Sequence, residues 1–523
     1  RDGHTIDLDF VDRIEVVNGS NAIQGVGATG GVVNIVTPRL ERDAPLRLRT
    51  RARVTSADEY DADALAWKGS ALASKGFERG AVMAGIAVHE RGLFLDANGE
   101  AVGIYPTQGD IMDSTSVSMM LKGEYDLSET RTLGFMVNDF DLERNGDYLP
   151  VPGDRTLGIP SGTVDGDPGP VVGDPARNDV TTAALTWRDE ALLGGALDAQ
   201  FYAQRFRGLF EGGTFGGFFR LTPDGAPFLD QSEIESDKLG VRATWNREFA
   251  SVPVDLALGL DWFRDDSAQT LARSGREWVP ETRFETVAPF AQVAWTPLEA
   301  LTLSGGVRVE DARLEVDDYV TIAAAGSTPV GGGEPEFAET LVNLGFVWRF
   351  TDAWRFYGAV NEGFTMPDVG RVLRGVSTPG QSAEGLLDLE PVVTENRELG
   401  IEYDDGRLSG RIAYWESTAD RGARLTSNAA GIFEVQREET EIDGVELTLS
   451  WAFDETFTLS GNYARTNGRF DSDGSGSVDS DLDGLNVGPD RLNVYLDAVH
   501  DGGWRWRAQV SRLEDRDFDG PGA

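Results

Sequence analysis

The chain has 523 residues, with 47 Lys and Arg against 88 Asp and Glu, giving a formal net charge of −41. That charge excludes a nucleic-acid partner, whose phosphates demand a basic face. The sequence contains no cysteine, which excludes disulfide frameworks, zinc–thiolate sites and thiol catalysis; the three histidines, His4, His89 and His500, lie far apart, and no apolar run approaches the length of a membrane helix.

The first readable element runs from Arg13 to Arg39. Arg13-Ile-Glu-Val-Val-Asn reads as a strand, Gly19 to Gly30 as a glycine-punctuated turn, and Gly31-Val-Val-Asn-Ile-Val-Thr as a second strand that stops at Pro38. Gly25-Val-Gly27-Ala-Thr-Gly30 satisfies the dinucleotide pattern GxGxxG. A dinucleotide site needs a helix to begin there so that its N-terminus meets the pyrophosphate. β-branched residues follow instead, so the nucleotide reading fails.

From Leu46 to Leu513 the period is two almost everywhere. In Leu301-Thr-Leu-Ser-Gly-Gly-Val-Arg-Val-Glu310 one face carries Leu301, Leu303, Val307 and Val309, and the other Thr302, Ser304, Arg308 and Glu310. Val445–Trp451, Leu344–Phe350 and Leu239–Trp245 repeat the pattern. Alternation of this kind means strands with one wet and one greasy face. Roughly nineteen such strands of about ten residues can be marked, the length that crosses a bilayer on a tilt. Their connections alternate. Short turns fall near 126–130, 188–195, 247–253, 296–300, 350–353, 404–407, 453–456 and 500–503; long polar segments fall at 92–114, 143–179, 208–234, 266–282, 314–338, 362–393, 417–441 and 467–489. Short turns at one end and long loops at the other predict an outer-membrane barrel. Trp187, Trp245, Trp295, Trp348 and Trp451 each sit near the start of a short turn, where an amphipathic indole favours the headgroup level.

The opening segment resembles the end of the plug domain of TonB-dependent outer-membrane receptors, through Arg13-Ile-Glu-Val16, Gly19, Ala22, Gly25, Ala28, Gly30-Gly-Val32 and Asn34-Ile-Val-Thr37. Asn361-Glu-Gly-Phe-Thr-Met-Pro-Asp368, Leu389-Glu-Pro-Val-Val-Thr-Glu-Asn-Arg-Glu-Leu-Gly400 and Ile442-Asp-Gly-Val-Glu446 are similar to later motifs of that family. The resemblance implies an all-β, transmembrane antiparallel barrel of about 22 strands, roughly nineteen of them here. It places the end of the plug at 1–39 and the barrel at 46–523 without its last strands, so the sequence reads as an internal fragment. It further implies a place in the bacterial outer membrane among lipid and lipopolysaccharide, and import energised by the TonB–ExbB–ExbD complex through a TonB box ahead of residue 1.

The acids form no catalytic constellation, so no enzyme is expected, and no cofactor is required. Ferric siderophores are the cargo the resemblance favours. Ala288–Trp295, Leu303–Arg308 and Gly363–Asp368 are most similar to receptors for hydroxamate siderophores of the aerobactin kind. Cobalamin, haem or a glycan would keep the fold, whereas a passive porin or an adhesin would not need the plug segment. Candidate contacts are Tyr148, Phe215, Phe218, Phe219, Trp278, Arg371 and Arg374: aromatics offer rigid apolar area, and arginines offer charge to an anionic chelate. Asp471, Asp473, Ser475, Asp479, Asp481 and Asp483 form a calcium-like loop, with oxygens at positions 1, 3, 5 and 9 and Gly476 at position 6. Position 12, where a bidentate Glu belongs, is Leu482, flanked by Asp481 and Asp483. A flexible acidic loop is the alternative.

Overall fold

The computed structural model describes residues 5–19, 27–57, 62–96, 98–103, 112–146, 148–151, 153, 157, 159–165, 173–210, 220–221, 227–228, 230–249, 251–386, 389–427 and 433–516. Two-faced strands satisfy their backbones by pairing and hide edges by wrapping. Among the described residues, twenty antiparallel strands taken in chain order, from Arg47–Thr55 to Arg505–Leu513, form one barrel wall. Nineteen have nine residues or more; the other is the two-residue Ser480–Asp481. The wall closes between its first and last strands, in which every residue is exposed.

The short turns sit where alternation placed them. Ladders run down to Leu192↔Gly195, Phe249↔Val254, Leu298↔Leu301 and Asp404↔Ser409 before the chain reverses. Several are closed by a carboxylate. Asp405 accepts from the backbone N–H of Leu408 (2.8 Å) and Arg407 (2.9 Å), and Asp454 from those of Phe457 and Thr456 (both 2.8 Å). These bonds hold both carboxyls below the usual carboxylate range.

The strands are longer than expected. They reach 23 residues in Arg276–Leu298, and the segment 266–282, read from sequence as a loop, is strand on both sides of a turn at 272–275. The segment 417–441 likewise continues the strands Leu408–Ser427 and Phe433–Ala452. Hairpins here outgrow the apolar layer, and ion pairs replace aliphatic contacts: Asp266 takes Arg264 at 2.6 Å and Arg283 at 2.8 Å. Polarity alone made these stretches look like loops.

Contacts to the opening hairpin define the inner face. Asn138 reaches inward to the Thr5 carbonyl ahead of the hairpin and Asn396 to the Thr29 carbonyl, so Val137 and Leu399, of opposite parity and both exposed, face outward. Following the registers, Leu344, Val360, Val307 and Tyr414 share the outer, lipid-facing surface. At the short-turn end Trp295, Trp348 and Trp451 are exposed, and the belt continues through Trp348 against Phe350 (5.5 Å), Trp354 against Tyr403 (4.7 Å) and Trp451 against Phe453 (4.9 Å). Trp187 and Trp245 are more covered; the Trp245 indole donates to the Leu192 carbonyl at 2.9 Å.

Inside lies the hairpin Arg13–Asn18 with Gly31–Val36, paired over six registers. Of its connection the described part, residues 27–30, is turn, and the chain leaves it as the strand Gly31–Val36, so no phosphate-binding helix starts after Gly30. Just before the hairpin, Phe10 is fully buried among Leu72, Met83, Ala87 and Met120 of the wall. Gly85 makes the room: a Cβ there would stand 2.6 Å from Phe10 Cε1. Beside it Lys68 donates to Asp7 (2.7 Å) and pairs with Asp9 (3.1 Å), while Arg51 holds Asp9 at 2.7 Å. Burial by itself would raise the Asp9 carboxyl, but hydrogen bonds from Arg51, Ser70 and Lys68 outweigh it and hold it well below the usual carboxylate range.

Candidate ligand-binding mouth

The long connection after Trp354–Thr365 folds back into the mouth of the barrel. Asp368 caps a short helix, Val369–Gly375, by accepting from the Arg371 N–H at 3.0 Å. Leu373, Val376, Ala383 and Leu389, all buried, pack on Leu314 and Val316, which lie on the inner face of Leu301–Val316 by alternation from outward Val307. Tyr319 and Val330 complete that cluster, and Tyr319 Oη donates to the Leu373 carbonyl at 2.7 Å. Each fully buried aliphatic contributes about 1.5–3 kcal/mol, so this lobe is a fixed part of the inner wall.

The structure brings three of the proposed contact residues together. Trp278 packs beside Leu271 and Ile322, and the Arg374 guanidinium stands over its ring at 4.2 Å, a geometry that contributes about 0.5–2 kcal/mol. Burial pushes the Arg374 guanidinium down to about 10, with Asp368 pulling the other way. Arg371 sits on the same helix and pairs with Asp368 at 3.1 Å. The two arginines therefore differ. Arg374 is built into packing, whereas Arg371 forms a half-exposed pair with Asp368 on its own helix.

Tyr148 lies elsewhere, packed against Leu93 and Met112 in a separate cluster. Phe215, Phe218 and Phe219 lie outside the described residues. A cavity of about 880 Å³ beside the lobe is lined by Glu336, Glu339, Glu362, Glu390 and Glu395 with Arg421, a surface that repels an anion. Elsewhere on the inner face buried Arg308 holds Asp261 at 2.7 Å and Glu310 at 2.5 Å.

In the calcium-like loop, Asp471 Oδ1 accepts from the N–H groups of Asp473 (3.2 Å), Gly474 (2.9 Å) and Ser475 (3.2 Å), and Oδ2 from Gly476 (2.6 Å). Asp479 accepts from Ser472 through both N–H and hydroxyl at 3.0 Å. These bonds, the Gly476 N–H first for Asp471 and the Ser472 N–H first for Asp479, hold both carboxyls below their usual range. Among the described residues no group of three or more acids or histidines is placed to hold a metal ion.

Sequence reading missed the residues that seat the plug: Asp7, Asp9 and Phe10 on one side, Lys68 and Lys122 on the other. The run Asp7-Leu-Asp9-Phe10 ahead of the hairpin was the available signal, two acids flanking apolar residues where an opposing cation was needed.

A barrel with short turns at one end, an aromatic belt above them and a folded hairpin inside its lumen defines an outer-membrane receptor of the plugged type. The chain belongs to the TonB dependent receptor-like beta-barrel family, whose pattern matches residues 125–522. It is 24% identical over 502 residues to the ferric aerobactin receptor of Klebsiella pneumoniae, covering 86% of this chain and 65% of the relative. It is 24% identical over 524 residues to the rhizobactin receptor of Rhizobium meliloti (strain 1021), covering 88% and 66%. The chain thus spans about two thirds of the length of these curated relatives. Among solved structures it is similar to the FrpB iron transporter of Neisseria meningitidis, with a TM-score of 0.69 at 15% identity over 96% of this chain and 75% of the other.

Proposed function

We propose that the protein imports a ferric siderophore of the hydroxamate type across the outer membrane, with energy supplied by the TonB–ExbB–ExbD complex. The observation that carries the reading is the fixed lobe in the mouth, which presents Arg371, and Arg374 over the Trp278 ring, on the connection that follows Phe364, whose carbonyl accepts from the Gly27 N–H of the plug segment. The two relatives, receptors for ferric aerobactin and rhizobactin, support the cargo class. An anionic chelate takes the place of the Asp368 carboxylate on Arg371, beside the Arg374 guanidinium that covers the Trp278 ring. The reading assigns no catalytic step to any residue.

For the loop 471–483 the proposal is narrower. Asp471 and Asp479 close the loop through its own N–H groups, and a hydrated calcium ion meets its remaining carboxylates singly, with weak affinity. The test of the main reading is uptake of radioactive iron by cells carrying the full-length receptor as their sole siderophore receptor. Accumulation from one ferric hydroxamate, lost on collapse of the proton gradient, is expected; accumulation only of cobalamin, haem or a glycan would move the cargo class.

A further inference from the structure

One strand of the wall keeps an open edge. Glu336–Arg349 pairs from Glu336 to Trp348 with Leu301–Val316 on one side, but with Trp354–Thr365 on the other only from Asn343 to Arg349. Beyond Asn343 the two strands part. The Val342 N–H goes to the Glu362 carboxylate at 2.8 Å instead of to backbone. Phe364, of the same parity as outward Val360, is buried against Ala312 and Leu341 of the inner face, so the strand ends overlap in a step. The Pro335 carbonyl accepts from the Leu314 N–H on the Leu301–Val316 side, whereas the Val342 N–H points the other way. Alternation then turns the N–H and C=O groups of Ala338 and Thr340 to the open side, where no backbone partner meets them among the described residues. From Trp348 in the aromatic belt to Ala338 is about 33 Å along the strand. At a tilt of about 40° that is a height of about 25 Å, the full apolar band of such a barrel. The open edge thus stands at the outer headgroup level, where water satisfies backbone groups that lipid would not.

The edge borders the acidic cavity of about 880 Å³. Glu336 and Glu339 line it from the edge itself, Glu362 and Glu395 from neighbouring strands where they pair in register, and Glu384 and Asp420 from connections and strand ends around it. Arg421, the cation among its lining residues, is taken by Glu390 at 2.8 Å. Glu336, Glu339 and Asp420 have no cationic partner among the described residues. Phe337, Leu386 and Val393 give the cavity its apolar part.

We propose that this open edge docks an extended cationic peptide, which adds as a strand along Glu336–Thr340 and places Lys or Arg side chains among the acids. Two observations fix the class of the occupant. A row of unpaired N–H and C=O groups is matched by another backbone in strand conformation. The excess of acid around that row selects a positive chain and rejects an anion, so the occupant differs from the chelate assigned to Arg371. The inference is independent of the import reading.

The probe is a fluorescein-labelled Lys-Val-Lys-Val-Lys-Val peptide, titrated by anisotropy with the full-length receptor in a maltoside detergent. Saturable binding is expected, and binding that does not saturate overturns the proposal. Two further peptides carry backbone N-methyl groups on alternate residues, one on each alternating set, which keeps the charge and removes the N–H donors of one strand edge. One of them is expected to bind at least tenfold more weakly and the other within threefold of the parent. Equal binding by all three, or equal loss in both methylated peptides, overturns strand addition. On the receptor side, Thr340→Pro removes an N–H that faces the gap and leaves the ladder to Leu301–Val316 whole. It is expected to keep the heat-modifiable gel mobility of the barrel and to weaken the parent peptide at least fivefold. The double variant E336Q/E339Q, which leaves the backbone untouched, is expected to weaken it at least threefold and to flatten its salt dependence. Unchanged affinity in the double variant overturns the assignment of the site.

Discussion

Replacing Phe10 by alanine should release the plug segment from the wall without unfolding the barrel. Phe10 is fully buried, and an aromatic ring buries about 150–250 Å², worth ~4–6 kcal/mol at ~25 cal/mol per Å². Alanine retains part of that area, and measured Phe→Ala costs in cores are about 3–5 kcal/mol. The wall meets the plug here but does not depend on it, because its strands are held by their own ladders. The loss therefore falls on the local opening of residues 5–12, which should become about 10²- to 10⁴-fold more frequent. Hydrogen exchange on the detergent-purified full-length receptor reads this directly, with heat-modifiable gel mobility as the check on the barrel. Unchanged exchange at 5–12, or an equal rise in strands remote from the socket such as Leu408–Ser427, would refute the reasoning. Gly85→Ala should act in the same direction, since its Cβ meets both Phe10 and Leu72 Cδ1 at 2.8 Å or less.

Arg371→Ala should weaken siderophore binding about 10-fold or more, the loss of one hydrogen bond to a charged group, by calorimetry. Arg374→Ala should instead raise protease sensitivity of the segment 314–389, with a smaller effect on affinity. Asp471→Ala removes the acceptor of four backbone N–H groups and should speed cleavage within 471–487. Calcium titration of the parent loop should half-saturate in the range of about 10⁻⁴–10⁻³ M typical of extracellular modules. The pH dependence follows from Asp9. Its carboxyl is depressed in the folded state, so its stabilisation is present above the unfolded value of about 4 and is lost as pH falls through the lower folded value. Protection factors at residues 5–12, corrected for intrinsic exchange, should stay flat from about pH 8 to pH 4 and fall only in stronger acid; a fall near neutrality would contradict the pairing with Lys68 and Arg51.

Much of the barrel was legible because its physics is local. Alternation in Leu301–Glu310 can satisfy only a strand with two environments, and the chemistry of turns such as Asp404–Arg407, with an acid positioned for two backbone N–H groups, is written in adjacent residues. Strand length was not legible. Arg264, Asp266 and Arg283 read as loop polarity, yet their charges cancel across the ladder and let the strands continue. The site was half legible for the same reason. Trp278 and Arg374 were identifiable by type, but that they pair with each other depends on a lobe held by Leu373 and Tyr319, contacts made across long stretches of chain. The socket for Phe10 required knowing that Gly85 lies opposite, and no local pattern carries that.

If the mouth takes an iron chelate, calorimetric titration of the detergent-purified full-length receptor with iron-loaded hydroxamate, catecholate and carboxylate siderophores, together with cobalamin and haem, will register it. Saturable, sub-micromolar binding of a ferric hydroxamate, weakened by Arg371→Ala, is the expected result. A folded receptor that binds none of the ferric siderophores, or binds one with no dependence on Arg371, would contradict it.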